Sequence, residues 1–119
     1  MKIYTDLEQS KKLAEILPLE SADAIYYYQP KFECSGGWYK FSYGTNKIIM
    51  PLDIPCWSLT ALLDVLPKGT DIIKEEADTE NEKYMCTVGI KDDIIPTFGN
   101  NPVDACYEMT LELHKQKLL

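Results

Sequence analysis

Residues 24–44 read AIYYYQPKFECSGGWYKFSYG. Two runs of strand-forming residues, AIYYYQ and WYKFSYG, flank CSGG at 34–37, where the glycines permit a tight reversal. Strand alternation puts Tyr26 and Tyr28 on one face with Tyr27 opposite, and Tyr39, Phe41 and Tyr43 together against Trp38, Lys40 and Ser42. GTN at 44–46 is a further turn signal before KIIMPL at 47–52. The segment therefore predicts a three-stranded antiparallel meander with one strongly aromatic face.

The flanks predict helices. In TDLEQSKKLAEIL, residues 5–17, Thr5 and Glu8 have capping-box spacing, Leu7, Leu13, Ala14 and Leu17 fall near one stripe, and Pro18 ends the run. After IPCW, Ser58 is placed to cap LTALLDVL, with Leu59, Leu62, Leu63 and Leu66 as its apolar side and Pro67 with Gly69 as its stop. Strand patterns then resume in TDIIKE, in KYMCTVGI with Tyr84, Cys86, Val88 and Ile90 on one side, and in a shorter DIIPTF, whose Pro96 suits an edge strand or an early end. The last helix has the clearest start: Asn101 caps, Pro102 takes the first helical position, and Asp104 suits the exposed first-turn amides. Its buried stripe is read as Val103, Cys106, Met109 or Thr110, Leu113 and Leu118.

This predicts an α+β fold, with an antiparallel or mixed sheet, about three helices, and the order α-βββ-α-βββ-α. The fragments LAEILP at 13–18 and LLDVLP at 62–67 match in pattern, as a duplicated ββ(β)α unit would produce. The strands would form one sheet of up to six with helices on one face, or two small sheets sharing the central helix. One compact domain over 1–119 is expected, because halves of about 60 residues would each bury too little surface.

Composition narrows the function. A hydrophobic fraction of 45% argues against a disordered chain. All 12 basic residues are Lys, so the planar fork used on phosphate and guanine is missing, and the net charge is −7. Residues 1–60 hold six Lys against seven acids, and residues 61–119 six Lys against twelve. Nucleic acid and anionic membranes are therefore poor partners for the second half, and a basic protein is a better one. The N-terminal segment carries charges within its apolar period and no apolar run nears about 18 residues, so neither a signal peptide nor a membrane span is expected, and the cytoplasm is the expected location.

Chemistry-bearing residues are sparse. Cys34, Cys56, Cys86 and Cys106 are widely spaced and are read as buried free thiols; no short Cys or Cys/His pair suggests zinc, and His114 is the only histidine. His114 near a helix end has no assignable partner, and neither Cys34 nor Cys56 lies in a Cys/His motif. The six glycines form no phosphate-binding motif. EEADTENEK at 75–83 holds five acids without EF-hand spacing and reads as a solvated hairpin loop. No metal, cofactor or catalytic residue is predicted, and the chain is read as a non-enzyme more readily than as an enzyme.

QSKKLAEILPLESAD (9–23), DIPCWSLTALLDVLP (53–67) and NNPVDACYEMTLELHKQKLL (100–119) resemble recurring segments of a family of small proteins from Bacteroides-type gut bacteria and their phage or mobile elements. The resemblance implies an accessory or phage-related role and brings no active site with it. FGNNPVDACYEMTLEL (98–113) also resembles the closing strand and helix of small antitoxin-like domains, which implies sequestration of a basic partner.

The aromatic residues are the more informative set. Eight of the 13, Tyr26, Tyr27, Tyr28, Phe32, Trp38, Tyr39, Phe41 and Tyr43, lie within 18 positions. One aromatic row is expected to enter the core and the other to form a Tyr-rich surface. The predicted activity is non-enzymatic protein interaction, with a protein partner or self-association through Tyr26, Tyr28, Trp38, Tyr39 and Tyr43 and through the acids Glu75, Glu76, Asp78, Glu80 and Glu82. A small enzyme or ligand binder with a pocket near the aromatic strands is the alternative.

Overall fold

The computed structural model describes residues 2–30, 37–43, 52–75 and 84–119. In chain order these form α1 (Leu7–Ala14), a single 3-10 turn at Leu19–Ser21, β1 (Ala24–Pro30), β2 (Gly37–Tyr43), β3 (Ile54–Cys56), α2 (Leu59–Val65), β4 (Asp71–Lys74), β5 (Tyr84–Ile90), β6 (Asp93–Gly99) and α3 (Pro102–Lys115). The fold is α+β, with three helices and two antiparallel three-stranded sheets. The expected strand KIIMPL lies outside the described residues except for Leu52, which sits in a turn; the third strand among the described residues is Ile54–Cys56.

Among the described residues the first sheet is centred on β1. Its order is β2-β1-β3, with Tyr26 paired to Phe41 on one side and to Ile54 on the other. The second sheet runs β4-β5-β6, and Pro96 lies on its edge strand β6 as expected. The βββα order thus recurs along the chain while the central strand is the first of three in one sheet and the second of three in the other.

Non-local anchors explain the first sheet. Trp57 is fully buried directly after β3, its indole N–H donates to Ser21 Oγ at 2.9 Å, and its carbonyl accepts the Thr5 N–H at 2.9 Å. Thr5 Oγ1 accepts the Trp57 N–H at 3.1 Å and lies 2.8 Å from Ser10 Oγ. With Thr5 engaged in this buried network, capping of α1 passes to Asp6. Asp6 Oδ1 accepts the Gln9 N–H at 2.8 Å, and Gln9 Oε1 accepts the Asp6 N–H at 3.0 Å. The capping box is therefore one residue later than Thr5 and Glu8. The α1 side facing the protein is Ser10 and Leu13, followed by Leu17, and Ala14 is exposed.

The helices close the main core. Ser58 caps α2 as expected, accepting the Ala61 N–H at 3.1 Å; of the expected stripe Leu62 and Leu66 are buried and Leu59 packs against the core, with Ala61 beside them, while Leu63 is exposed. On α3, Val103, Cys106, Met109, Thr110 and Leu113 are buried; Leu118, past the end of the helix, is exposed. The core joins Leu13 and Leu17, Trp57, Leu62 and Leu66, Cys86 and Val88, and the inner face of α3. Burying such side chains contributes about 1.5–3 kcal/mol each. Among the described residues, no side chain of β1 or β2 belongs to this cluster.

Candidate functional site

Register decides where the aromatic rings go. Pairing of Ala24 with Tyr43, Tyr26 with Phe41 and Tyr28 with Tyr39 places Tyr26, Tyr28, Tyr39, Phe41 and Tyr43 on one face, because directly opposed residues point the same way. Tyr28 and Tyr39 meet with centroids 5.4 Å apart, Tyr26 and Phe41 at 5.7 Å, and Phe41 and Tyr43 at 5.0 Å, all in edge contacts. Tyr4 joins the row at 4.7 Å from Phe41 and 6.0 Å from Tyr43. An edge packed against a ring face adds about 0.5–1.5 kcal/mol beyond burial.

The row lies outside the main core cluster. It runs from half-buried Tyr26 to Phe41, 37% exposed, and Tyr43, 78% exposed. Tyr26 is the anchored end, its hydroxyl donating to the Thr5 carbonyl at 2.9 Å. Lys11 Nζ lies 6.0 Å above the Tyr39 ring, so α1 contributes a cation beside the aromatic surface. Burial first, then the Asp23 carboxylate, Tyr43 and Cys56, push the Tyr4 phenol above its ordinary value; burial, Cys56 and Asp6 do the same for Tyr26. These hydroxyls remain protonated donors at neutral pH.

Of the residues predicted as an interaction surface, Tyr26, Tyr28, Tyr39 and Tyr43 are thus brought together. Trp38 stands across from Gln29, at the opposite parity, and its side chain lies outside the described residues. Glu75 is exposed just after β4, in the other sheet, and Glu76, Asp78, Glu80 and Glu82 lie outside the described residues. Tyr4 carried no local signal. Its place depends on the antiparallel bridge to Ser58, which seats the N-terminal segment beside the end of β3.

Groups with nucleophilic or acid–base chemistry are spread through the fold. The buried Cys56 thiol is pushed up to about 12 by burial and by Asp23, so it is protonated and unreactive at neutral pH. Cys86 and Cys106 are buried free thiols with sulfurs 3.9 Å apart, and Cys34 lies outside the described residues. The hydrogen bond to Cys86, with burial, holds Cys106 far above the ordinary thiol range. Asp23 accepts both the backbone N–H and the hydroxyl of Ser58, which braces the α2 cap. His114 is exposed on the last turn of α3.

Open clefts among the described residues are lined mainly by polar and charged side chains or by the N-terminal segment and α2. One of about 410 Å³ is lined by Asp6, Glu8, Gln9, Lys11, Lys12, Glu15 and Tyr107, and one of about 380 Å³ by Lys2, Ile3, Ser58, Leu59 and Thr60. Among the described residues, no group of three His, Cys, Asp or Glu side chains is arranged to hold a metal, and no helix is long and apolar enough to cross a membrane. No family model, curated protein or solved structure matches the chain.

Proposed function

We propose that the chain is a protein-interaction module whose contact surface is the aromatic face of β1 and β2, and that it acts as an accessory protein without covalent chemistry of its own. The observation supporting this reading is the row of rings from Tyr28 through Phe41 to Tyr43, held in mutual contact outside the main core. Tyr supplies large contact area at little entropic cost, with a hydroxyl for a polar partner, and is accordingly enriched at binding hot spots. The resemblance to small proteins of Bacteroides-type bacteria and their phage or mobile elements fits an accessory role.

Tyr43 offers the test, since at 78% exposure its replacement gives up edge contacts with Phe41 and Tyr4 but little burial. Immobilised wild-type chain should retain a stoichiometric partner from native lysate, and Tyr43→Glu should reduce that retention by about tenfold or more, as expected for a hot-spot residue. Equal retention by the variant would discard the aromatic face as the contact. Repeated absence of a partner, together with a monomeric mass, would discard the module itself.

A further inference from the structure

The second sheet has an apolar face that α3 does not cover. Alternation and register assign Ile72, Tyr84, Cys86, Val88, Ile95 and Thr97 to the α3 side, where Thr97 Oγ1 donates to the Ala105 carbonyl at 2.8 Å. The opposite face carries a cross-strand row of Ile73, Met85 and Phe98, then Thr87 with Pro96, then Gly89 with Ile94. Ile94 is 71% exposed, Ile73 46% and Phe98 38%. An antiparallel sheet with one wet face normally alternates apolar with polar residues, whereas side chains apolar on both faces mark a sheet covered on both. The adjacent Ile72–Ile73 and Ile94–Ile95 pairs follow the second pattern.

Size and charge select what covers it. Three strands of up to seven residues span roughly 14 by 23 Å, about 300 Å², well short of the ~800 Å² per partner of a stable protein–protein interface. A second copy would also bring its own net charge of −7 against the same surface. One α-helix is about 10 Å wide and advances 1.5 Å per residue, so about 15 residues cover the face. The 14-residue α3 covers the inner one. At the outward-facing positions of β4 the charged residue is Asp71, with Glu75 next in the same alternation just past the strand, and both are exposed. No Lys occupies the outward positions of β5 or β6.

We infer that the outer face of β4-β5-β6, centred on Ile73, Phe98 and Ile94, docks one amphipathic helix of about four turns from another protein, with Leu-like residues on the sheet and Lys or Arg along the β4 edge. The site is separate from the aromatic face. Each can therefore fail alone.

A 16-residue Leu/Lys amphipathic peptide, its Leu/Glu counterpart and the full-length chain provide the test, read by fluorescence anisotropy. The Leu/Lys peptide should bind wild type and lose affinity about tenfold with Ile94→Lys or Gly89→Lys, while Tyr43→Glu retains it. Gly89→Lys is the safeguard against misfolding, because a Cβ added at Gly89 meets no atom within 4 Å. Binding unchanged in Gly89→Lys, or equal binding of the Leu/Glu peptide, would overturn the site. A wild-type dimer in sedimentation that Ile94→Lys renders monomeric would assign the face to a second copy and overturn the helix.

Discussion

Asp104 shows how one side chain does more than its local pattern indicates. Its place in the first turn of α3 marks it as a carboxylate beside exposed amides, and its own N–H does donate to the Asn101 cap at 2.9 Å. It also ties the chain's two ends together. Asp104 Oδ1 accepts Lys2 Nζ at 2.8 Å and Gln9 Nε2 at 2.9 Å, and Oδ2 accepts Asn101 Nδ2 at 2.9 Å. Partial burial alone would raise its pKa; the hydrogen bonds from Lys2, Gln9 and Asn101, with the Lys2 charge, outweigh that and hold it below the usual carboxylate range. A depressed folded pKa means that the stabilisation is present in full above the unfolded value, about 3.9, and is lost as pH falls through the folded value. Asp104→Asn should therefore cost about 1 kcal/mol near pH 7, a figure held down by partial solvent screening, and the gap to wild type should close below about pH 4. Urea unfolding at several pH values measures this; a gap independent of pH would remove the charge from the explanation.

Elements read well from sequence where their signals are local. The Ser58 and Asn101 caps, the edge position of Pro96 and the alternation of Tyr84, Cys86, Val88 and Ile90 all depend on neighbours a few residues away, and each occurs as expected. The aromatic row is legible for the same reason, because alternation within two strands sorts the rings whatever their neighbours do. The order of the first sheet is not local: β3 is Ile-Pro-Cys, too short for a pattern, and joins β1 because Trp57 and Thr5 anchor the chain on either side of it. Tyr4 and Lys11 reach the aromatic face by the same long-range placement. Gly99 makes a comparable point at the seam between β6 and α3. A Cβ there would lie 2.5 Å from the Ala105 backbone nitrogen and 2.9 Å from the Asp104 carbonyl carbon, so α3 can sit this close only over glycine. Gly99→Ala should lower stability by about 1–3 kcal/mol through overpacking. Gly89→Ala, in the same sheet with open space around it, should be neutral or slightly stabilising. Thermal unfolding of the pair checks both, and equal melting temperatures would refute the close approach as the reason for Gly99.

At the scale of the molecule, packing is unevenly shared. The chain extends 55 × 31 × 21 Å with a radius of gyration of 15.9 Å. About 13–14 Å is expected for a compact chain of this length. The large buried side chains Trp57, Leu62, Met109 and Leu113 sit in one cluster with the helices and the second sheet. The far ends of β1 and β2 are held by strand pairing, by the Tyr28–Tyr39 edge contact and by Lys11, and Tyr28 and Tyr39 there are only partly buried. Regions with few buried apolar contacts open at lower free energy than the core. Amides of Tyr27 to Gln29 and Trp38 to Lys40 should therefore exchange with deuterium faster than those of Cys86 to Val88 and Met109 to Leu113, by about tenfold for each ~1.4 kcal/mol of difference in opening free energy. Occupation of the aromatic face would slow the first set selectively, whereas a helix on the outer face of the second sheet would slow β4 and β6 and leave the hairpin unchanged. Uniform protection across both sets in the free protein would mean that the first sheet and the main core unfold as one unit, and would remove the uneven packing as a source of adaptability at the aromatic surface.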